Sequence, residues 1–155
     1  MRPGILLTAA LILASASPGF ADDKKPDDSK WMVGKWKVVE ATVNGEVAKD
    51  APSFVVESKR FGGTEDSLFY NLPKELFPWN DRDVTDIAFD PKPEPKQVRI
   101  SINVGGKRYD FPGIYDLDGD RLEMCLSRVR GKVPVEFASP KQSGLTHVIF
   151  ERIHE

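Results

Sequence analysis

Four acidic side chains stand close together in one short stretch of the sequence and are the first candidates for metal binding. They are Asp116, Asp118, Asp120 and Glu123. Clustered carboxylates suit hard cations such as Ca²⁺, which take several oxygen ligands. The spacing differs from that of an EF-hand, because Gly119 follows the second aspartate and no loop of the required length ends in a glutamate. A hairpin turn explains these residues more simply, and we predict no metal site here.

The two histidines, His147 and His154, and the single cysteine, Cys125, are the other candidates for zinc binding or nucleophilic catalysis. A structural zinc site needs a full tetrahedral set of ligands, which one cysteine makes hard to assemble. No Gly-x-Ser-x-Gly segment is present to hold a serine nucleophile. No neighbouring cation or helix terminus is evident that would activate Cys125, so we expect it to act as a small buried apolar residue. We therefore predict no catalytic residue, no metal and no cofactor.

Basic residues cluster at Arg128, Arg130 and Lys132, a segment suited to contact with an anionic partner. The chain as a whole has a formal net charge of −2. Because nucleic-acid-binding domains are typically basic, this charge disfavours nucleic acid as a partner. We interpret the basic cluster as a solvated loop.

The segment from Gly62 to Asp83 combines aromatic residues with prolines and is the predicted recognition element. Its aromatic side chains include Phe69, Tyr70, Phe77 and Trp79, spaced irregularly around Pro73 and Pro78. No single strand or helix buries all of them on one face. Some must pack on the rest of the domain or stay exposed, where aromatic side chains supply binding hot spots. An insert that only fills the core is the alternative.

The first 21 residues have the order of a cleavable secretory signal. Arg2 is followed by the apolar stretch 5–13 and then by small residues, which predicts cleavage between Ala21 and Asp22 or, alternatively, after Ala16. The apolar stretch is shorter than a bilayer-spanning helix, so we expect no permanent membrane anchor. The protein is therefore expected to be exported, to the periplasm or the extracellular medium.

Residues 22–30 and 31–155 differ sharply in composition. The first segment is almost wholly charged or turn-forming, which predicts a flexible leader. The second has the length of one domain. Because Cys125 is the only cysteine, no intramolecular disulfide can form, and side-chain packing must stabilise this domain.

From Trp31 onward, short alternating apolar runs separated by turn residues predict strands and hairpins. Asn44-Gly45 and Gly105-Gly106 both suit two-residue turns with positive φ angles. The second turn places Ile102 opposite Tyr109, and Ile100 opposite Phe111, on one buried face.

A third hairpin is predicted at Asp118-Gly119, with Tyr115 opposite Leu122 and Asp116 opposite Arg121. The last strand is predicted over residues 145–153. Many antiparallel strands joined by tight turns, without a convincing long helix, predict a closed barrel or a sandwich, and we favour the barrel.

The segment from Gly113 to Leu126, which reads GIYDLDGDRLEMCL, resembles the signature of a family of small lipocalin-like exported domains, expanded in planctomycete bacteria and of unknown function. Supporting pieces include GKWKVV from Gly34 and FER from Phe150. The resemblance covers residues 31–153, except that the insert is longer and more aromatic here. It implies a lipocalin-like β-barrel in which Trp36 of the first strand packs against Arg152 of the last.

Together these features favour a non-catalytic binding or interaction module. In the first version, the barrel is filled and its loops, with the insert between Gly62 and Asp83, bind a protein partner. In the alternative, a small apolar or amphipathic ligand occupies the barrel mouth. The large inward side chains Tyr109, Phe111, Tyr115 and Phe150 favour a filled interior, and therefore the first version.

Overall fold

The computed structural model of the chain describes residues 28–53, 55–58, 76 and 84–155. The predicted signal peptide and the leader up to residue 27 lie outside these residues. The aromatic insert also lies outside them, apart from Leu76. The four predicted binding residues Phe69, Tyr70, Phe77 and Trp79 are therefore not among those described.

Eight β-strands make up most of the described chain, as the alternation of apolar and polar residues predicts. They are β1 (Gly34–Val43), β2 (Glu46–Val47), β3 (Val55–Ser58), β4 (Val84–Asp90), β5 (Lys96–Val104), β6 (Lys107–Asp118), β7 (Arg121–Ser127) and β8 (Leu145–Ile153). Two short 3-10 helices span Asp28–Met32 and Ala51–Ser53. Among the described residues, no helix has the length and apolar character needed to cross a membrane.

The strands pair antiparallel in one sheet with the order β2-β1-β8-β7-β6-β5-β4, and β3 pairs with the start of β1. The first strand therefore pairs with the last, with Trp36 opposite Arg152. Among the described residues, β4 pairs only with β5 and β3 only with β1, so the sheet does not close into a barrel. The predicted antiparallel β fold is confirmed, and closure into a barrel stays a prediction.

Two of the three predicted hairpin turns are confirmed. Asn44 and Gly45 have φ angles of 52° and 87°, and Thr42 pairs with Val47 across them. Gly105 and Gly106 have φ angles of 59° and 78°. Positive φ at both central residues matches the twist of the flanking strands. The predicted register of Ile100 and Ile102 against Phe111 and Tyr109 is confirmed as well.

The third turn lies one residue later than the sequence predicts. Asp118 pairs with Arg121, so the two central residues are Gly119 and Asp120. Tyr115 consequently faces Met124 and not Leu122, which corrects the predicted register. The reason is that Asp-Gly-Asp offers two turns, and a glycine with φ of 56° at the first central position suits a type II′ turn.

One face of the sheet buries the main core. In β1, Trp36 and Val38 are fully buried and Lys37 is exposed, as expected for a strand with one wet side. A bulge between Val38 and Glu40 then shifts the alternation, so that Ala41 is the next buried residue. The other strands and the insert contribute further fully buried side chains, including Ile100, Leu122, Phe150 and Leu76. Burial of each such side chain contributes about 1.5–3 kcal/mol.

The opposite face of the sheet carries a second, smaller cluster. It consists of Ile114, Cys125 and Leu145, with Phe137 packed against them. Phe137 belongs to residues 128–144, which join β7 to β8 and which we call the outer loop. The outer loop therefore covers part of the face that a simple barrel would leave in water.

Candidate functional site

Trp36 and Arg152, the pair predicted from the resemblance, are in contact. The guanidinium carbon of Arg152 lies 4.2 Å from the centroid of the Trp36 ring. Its Nη1 donates to the carbonyl of Val33 at 2.7 Å, its Nη2 donates to the carbonyl of Trp31, and its Nε lies 3.3 Å from Asp120. Every part of the guanidinium thus has a partner, and the cation–π contact contributes about 0.5–2 kcal/mol.

Gly34 provides the space for this guanidinium. A Cβ atom at Gly34 would lie 2.7 Å from Nη1 of Arg152, and the φ angle of this residue is +137°. Both facts favour glycine, because L side chains avoid this conformation. The Trp36 indole is also held by the first 3-10 helix, because its Nε1 donates to the carbonyl of Met32 at 2.9 Å. This end of the sheet is therefore rigid and filled by protein atoms.

Asp28 reinforces the same end of the core. Its carboxylate accepts hydrogen bonds from the Tyr115 hydroxyl and the Lys96 ammonium, both at 3.0 Å, and its side chain is 8% exposed. The composition of residues 22–30 predicts a flexible leader, but Asp28 lies in a 3-10 helix and is buried. The reason is that an opposite charge and a hydrogen-bond donor offset the cost of burying a carboxylate. The contact of Trp36 with Arg152 and the contacts of Asp28 with Tyr115 and Lys96 therefore both stabilise the fold.

The acidic residues that first suggested calcium are spread along a hairpin. Asp118 lies opposite Arg121, and Asp120 contacts His154 at 2.7 Å. Glu123 contacts Arg121 at 2.6 Å. In the part of the chain that the structure describes, no three His, Cys, Asp or Glu side chains form a group that could hold a metal ion. Basic side chains thus contact two of the four carboxylates, Asp120 and Glu123.

Cys125, His147 and Glu123 lie on neighbouring positions of β7 and β8, an arrangement with the residue types of a catalytic triad. Cys125 is the cross-strand neighbour of His147, and His147 Nε2 lies 2.7 Å from Glu123 Oε1. However, burial raises the pKa of the Cys125 thiol to about 11, and its Sγ donates to the Ala138 carbonyl at 3.3 Å. A protonated, buried thiol is a poor nucleophile. This arrangement therefore anchors the outer loop.

The outer loop is attached to the sheet at several points. The Ser139 hydroxyl donates to the Leu145 carbonyl at 2.6 Å, and Cys125 binds the Ala138 carbonyl. The Phe137 ring lies 6.4 Å from the His147 ring, centroid to centroid. These contacts fix the second half of the loop.

The first half of the outer loop exposes three valines. Val129 is 46% exposed, Val133 41% and Val135 84%, whereas Pro134 between Val133 and Val135 is buried. Pro134 therefore packs on the protein while its neighbours point into solvent. Exposed apolar side chains held on an anchored loop are typical of interaction surfaces.

A groove with a volume of about 310 Å³ lies beside these valines. The outer faces of β4, β5 and β6 form its floor, and the outer loop forms one wall. Side chains on the floor include Ala88, Arg99 and Pro112, and the wall includes Gly131 and Val133. The lining is thus mixed, because it combines apolar surfaces with Arg99 and two aspartates, Asp90 and Asp110.

The basic cluster of the sequence divides into anchoring and peripheral residues. Arg128 donates to the carbonyl of Leu76 at 3.2 Å and to the hydroxyl of Thr146 at 3.3 Å, so it ties the insert to the sheet. Arg130 lies over the Tyr109 ring at 5.6 Å. Lys132 is exposed and stands in the sequence between Gly131 and Val133, two residues that line the groove. Two of the three basic residues therefore contact other parts of the protein, which corrects the prediction that the whole cluster is a solvated loop.

No protein-family model, curated protein or solved structure matches the chain. The resemblance to small lipocalin-like exported domains therefore stays a prediction.

The groove is the feature that sequence reasoning missed. Its floor residues lie on three strands, and its wall comes from a loop without hydrophobic periodicity. The alternation of Val129, Val133 and Val135 with basic residues was the available signal, but nothing in it places these residues beside Arg99. The predicted aromatic binding residues remain a separate hypothesis, since they lie outside the described part of the chain.

Proposed function

We propose that this protein is an exported, non-catalytic binding module that recognises a protein partner through the outer loop and the adjoining strands. In this proposal the aromatic insert between Gly62 and Asp83 contributes further contacts. The interior of the domain serves stability.

The observation that carries the proposal is the combination of anchoring and exposure in the outer loop. A loop that is fixed by Phe137, Ala138 and Ser139 loses little conformational entropy on binding. Its valines, especially Val135, meanwhile remain in water, where apolar surface gains from being covered by a partner. Preorganised apolar surface of this kind is typical of protein interfaces.

The buried interior supports a protein partner over an internal ligand. Trp36, Tyr115 and Phe150 are fully buried, and Leu76 of the insert packs into the same core. These side chains occupy the volume that a small ligand would need inside the sheet. A small apolar ligand at the mouth of a barrel is the alternative, and native mass spectrometry of the purified protein tests it directly.

We also propose that the sheet closes into a lipocalin-like barrel. The pairing of β1 with β8 already joins the first and last strands, as in an up-and-down barrel. Core side chains from β1, β4, β5, β6, β7 and β8 belong to one cluster, so the sheet curves around a common interior. Closure would then require only a connection between β3 and β4.

Site-specific photocrosslinking tests the binding function. A Val135→Cys variant carries one exposed thiol for a benzophenone label, while Cys125 stays unlabelled because it is buried and its pKa is about 11. A Val47→Cys variant is the matched control, since Val47 is 66% exposed but lies on β2. Crosslinking is carried out in an extract of exported proteins from the source cells.

We expect a discrete adduct from position 135 and none of that mass from position 47. The crosslinked protein is then identified by mass spectrometry, purified, and titrated with wild-type protein and with Val135→Ser. The affinity should fall by roughly tenfold for this variant if Val135 lies in the centre of the interface. Identical adduct patterns at both positions, or no adduct at either, would contradict the proposal.

A further inference from the structure

We propose that one end of the sheet attaches the protein reversibly to an anionic lipid bilayer. The contact surface, which we call the basic tip, comes from two neighbouring loops and consists of the exposed residues Val104, Lys107, Val129, Arg130 and Lys132. This role goes beyond the protein-binding function above, because the basic tip includes neither Val135 nor the floor of the groove. A protein with both surfaces would meet its partner at a membrane.

The two loops lie at the same end of the sheet. Val104 ends β5 and pairs with Lys107, the first residue of β6. β7 pairs with the second half of β6, and the outer loop continues beside the first half. There the guanidinium carbon of Arg130 lies 5.6 Å from the centroid of the Tyr109 ring, near the start of β6. This contact joins the outer loop to the hairpin of β5 and β6.

A turn fixes the part of the basic tip that the outer loop contributes. The amide of Lys132 donates to the carbonyl of Val129 at 3.2 Å, which places Arg130 and Gly131 at the centre of a turn. The Ser127 hydroxyl accepts from the Val129 amide at 3.1 Å and donates to the Val129 carbonyl at 2.9 Å. The backbone below Arg130 and Lys132 is therefore held in place and loses little entropy when these residues meet a surface.

Positive charge is concentrated in these two loops, although the chain has a formal net charge of −2. Residues 104–108 and the outer loop together contain six basic residues and one acidic residue, Glu136. Within the described part of the chain, Lys107 and Lys132 form no ion pair, so both charges are available to an anionic partner. An anionic membrane attracts each lysine or arginine that is held near its surface, and these attractions add.

The carboxylates at the other end of β6 are too far away to cancel this attraction. β6 runs from Lys107 to the hairpin with β7, where Asp116, Asp118 and Asp120 are exposed. The strand has 12 residues and therefore spans about 35 Å, several times the Debye length of about 8 Å at physiological salt. A bilayer at the basic tip is thus repelled little by these carboxylates, and the separation of charge orients the protein.

The apolar part of the basic tip suits the interfacial region of a bilayer. Val104 is 48% exposed, similar to Val129, and each valine stands beside a cation. At a bilayer surface, such valines enter the boundary between headgroups and acyl chains, while the basic side chains stay at the phosphates. Lysine is depleted from protein interfaces, whereas its long, flexible side chain suits a fluid layer of phosphates without fixed geometry. These features favour a bilayer as the occupant of the basic tip.

Vesicle sedimentation provides the test. The full mature protein is titrated with vesicles of phosphatidylcholine, either alone or with about 30% phosphatidylglycerol, and the bound fraction is measured. We expect the anionic vesicles to bind at least about tenfold more tightly, and this affinity should fall by roughly tenfold as salt rises from about 0.05 to 0.5 M. Heparin, a soluble polyanion, is titrated separately and should bind more weakly than the anionic vesicles, because it offers no apolar layer to the valines.

Charge reversal at the two ends of the sheet is the matched comparison. Lys132→Glu and Lys107→Glu should each weaken binding to anionic vesicles by roughly tenfold, because each replaces attraction with repulsion. Lys92→Glu makes the same change of charge on the exposed connection between β4 and β5, at the opposite end, and should change the affinity by less than about twofold. Val104→Ser should weaken binding by roughly threefold, whereas Val55→Ser on β3 should leave it unchanged. Thermal unfolding checks that all five variants are folded.

Several outcomes would overturn the membrane role. One is the absence of binding to anionic vesicles at low salt, and another is equal binding to both kinds of vesicle. An equal effect of Lys132→Glu and Lys92→Glu would show that the basic tip is not the contact surface. Heparin binding as tight as vesicle binding would assign the basic tip to soluble polyanions instead. The photocrosslink at position 135 is measured without vesicles, so its result decides the proposed protein-binding function separately.

Discussion

At the scale of single residues, the two tryptophans at the start of the domain have opposite environments. Trp36 is fully buried, and Arg152 covers its ring, whereas Trp31 is 63% exposed and contributes its backbone carbonyl to the same guanidinium. Burial of the Trp36 indole therefore contributes to the stability of the fold, whereas the Trp31 indole contributes little.

Trp36→Ala should lower the free energy of unfolding by about 3–5 kcal/mol, because it leaves a large cavity and removes the cation–π contact. Trp31→Ala is the control and should change it by no more than about 0.5 kcal/mol. Urea unfolding followed by circular dichroism measures both values. Equal effects of the two variants would mean that Trp36 is not part of the central core.

Gly34→Ala should destabilise the protein more than Gly105→Ala. Both glycines have positive φ angles, and each substitution therefore costs on the order of 1 kcal/mol of backbone strain. A Cβ at Gly34 also displaces the Arg152 guanidinium, while a Cβ at Gly105 meets no atom within 4 Å. Backbone strain adds to the clash in the same direction, because φ of +137° at Gly34 is less accessible to L residues than φ of +59° at Gly105. A larger loss at Gly105 would contradict this account.

Cys125 should react very slowly with thiol reagents in the folded protein. With a pKa of about 11, roughly one thiol in a thousand is ionised at pH 8, and the side chain is buried as well. Ellman's reagent should therefore label Cys125 only after unfolding in guanidinium chloride. The Val135→Cys variant supplies the internal control, because its second thiol is exposed. Rapid labelling of Cys125 in the native wild-type protein would contradict the buried, structural role.

At the scale of secondary-structure elements, Glu123 and His147 join β7 to β8, and His147 lies beside Phe137 of the outer loop. Burial alone would raise the pKa of Glu123, but the hydrogen bonds from His147 and Arg121 lower it below its ordinary value of 4.5. A lowered pKa in the folded state means that the ionised carboxylate stabilises the protein. This contribution is complete above the pKa of the unfolded chain and is lost as the pH falls through the lowered pKa.

Glu123→Gln should therefore reduce stability at pH 7, because a neutral amide cannot replace the ionised partner of Arg121 and His147, and the difference from wild type should shrink below pH 4.5. Glu46→Gln, at an exposed carboxylate on β2, should leave stability within about 0.5 kcal/mol at both pH values. Thermal melts across pH 3–7 provide the comparison. A difference between Glu123→Gln and wild type that stays constant over this range would show that ionisation of Glu123 is not involved.

The elements differ in how far the sequence alone predicts them. The hairpin of β5 and β6 follows from alternation and from Gly105-Gly106, because a one-residue shift would turn Ile100 and Ile102 into water. The exact position of the turn after Asp118 could not be predicted, since the neighbouring residues allow two registers with similar turn chemistry. The groove could not be predicted at all, because it depends on how the outer loop folds back over β4, β5 and β6.

At the scale of the whole molecule, closure of the sheet is the main structural proposal, and hydrogen exchange tests it. In an open sheet, only alternate amides of β4 are bonded to β5, so the others exchange quickly. In a closed barrel, the remaining amides of β4 are hydrogen-bonded to a second neighbouring strand and also exchange slowly. We expect nuclear magnetic resonance to show protection at successive amides of β4 (Val84–Asp90). Protection at every second amide only would indicate an open sheet.

The pairing of β1 with β8 also has a kinetic consequence. Asp28 contacts Tyr115, 87 residues later, and the carbonyl of Val33 contacts Arg152, 119 residues later. Such distant contacts require large loops to close before they contribute, which slows folding. During synthesis, β1 has β2 and β3 available early, but its pairing with β8 must wait until almost the entire chain has left the ribosome. The sheet is therefore completed last at this pairing, which suits the export proposed above, because a chain passes through a translocation channel unfolded.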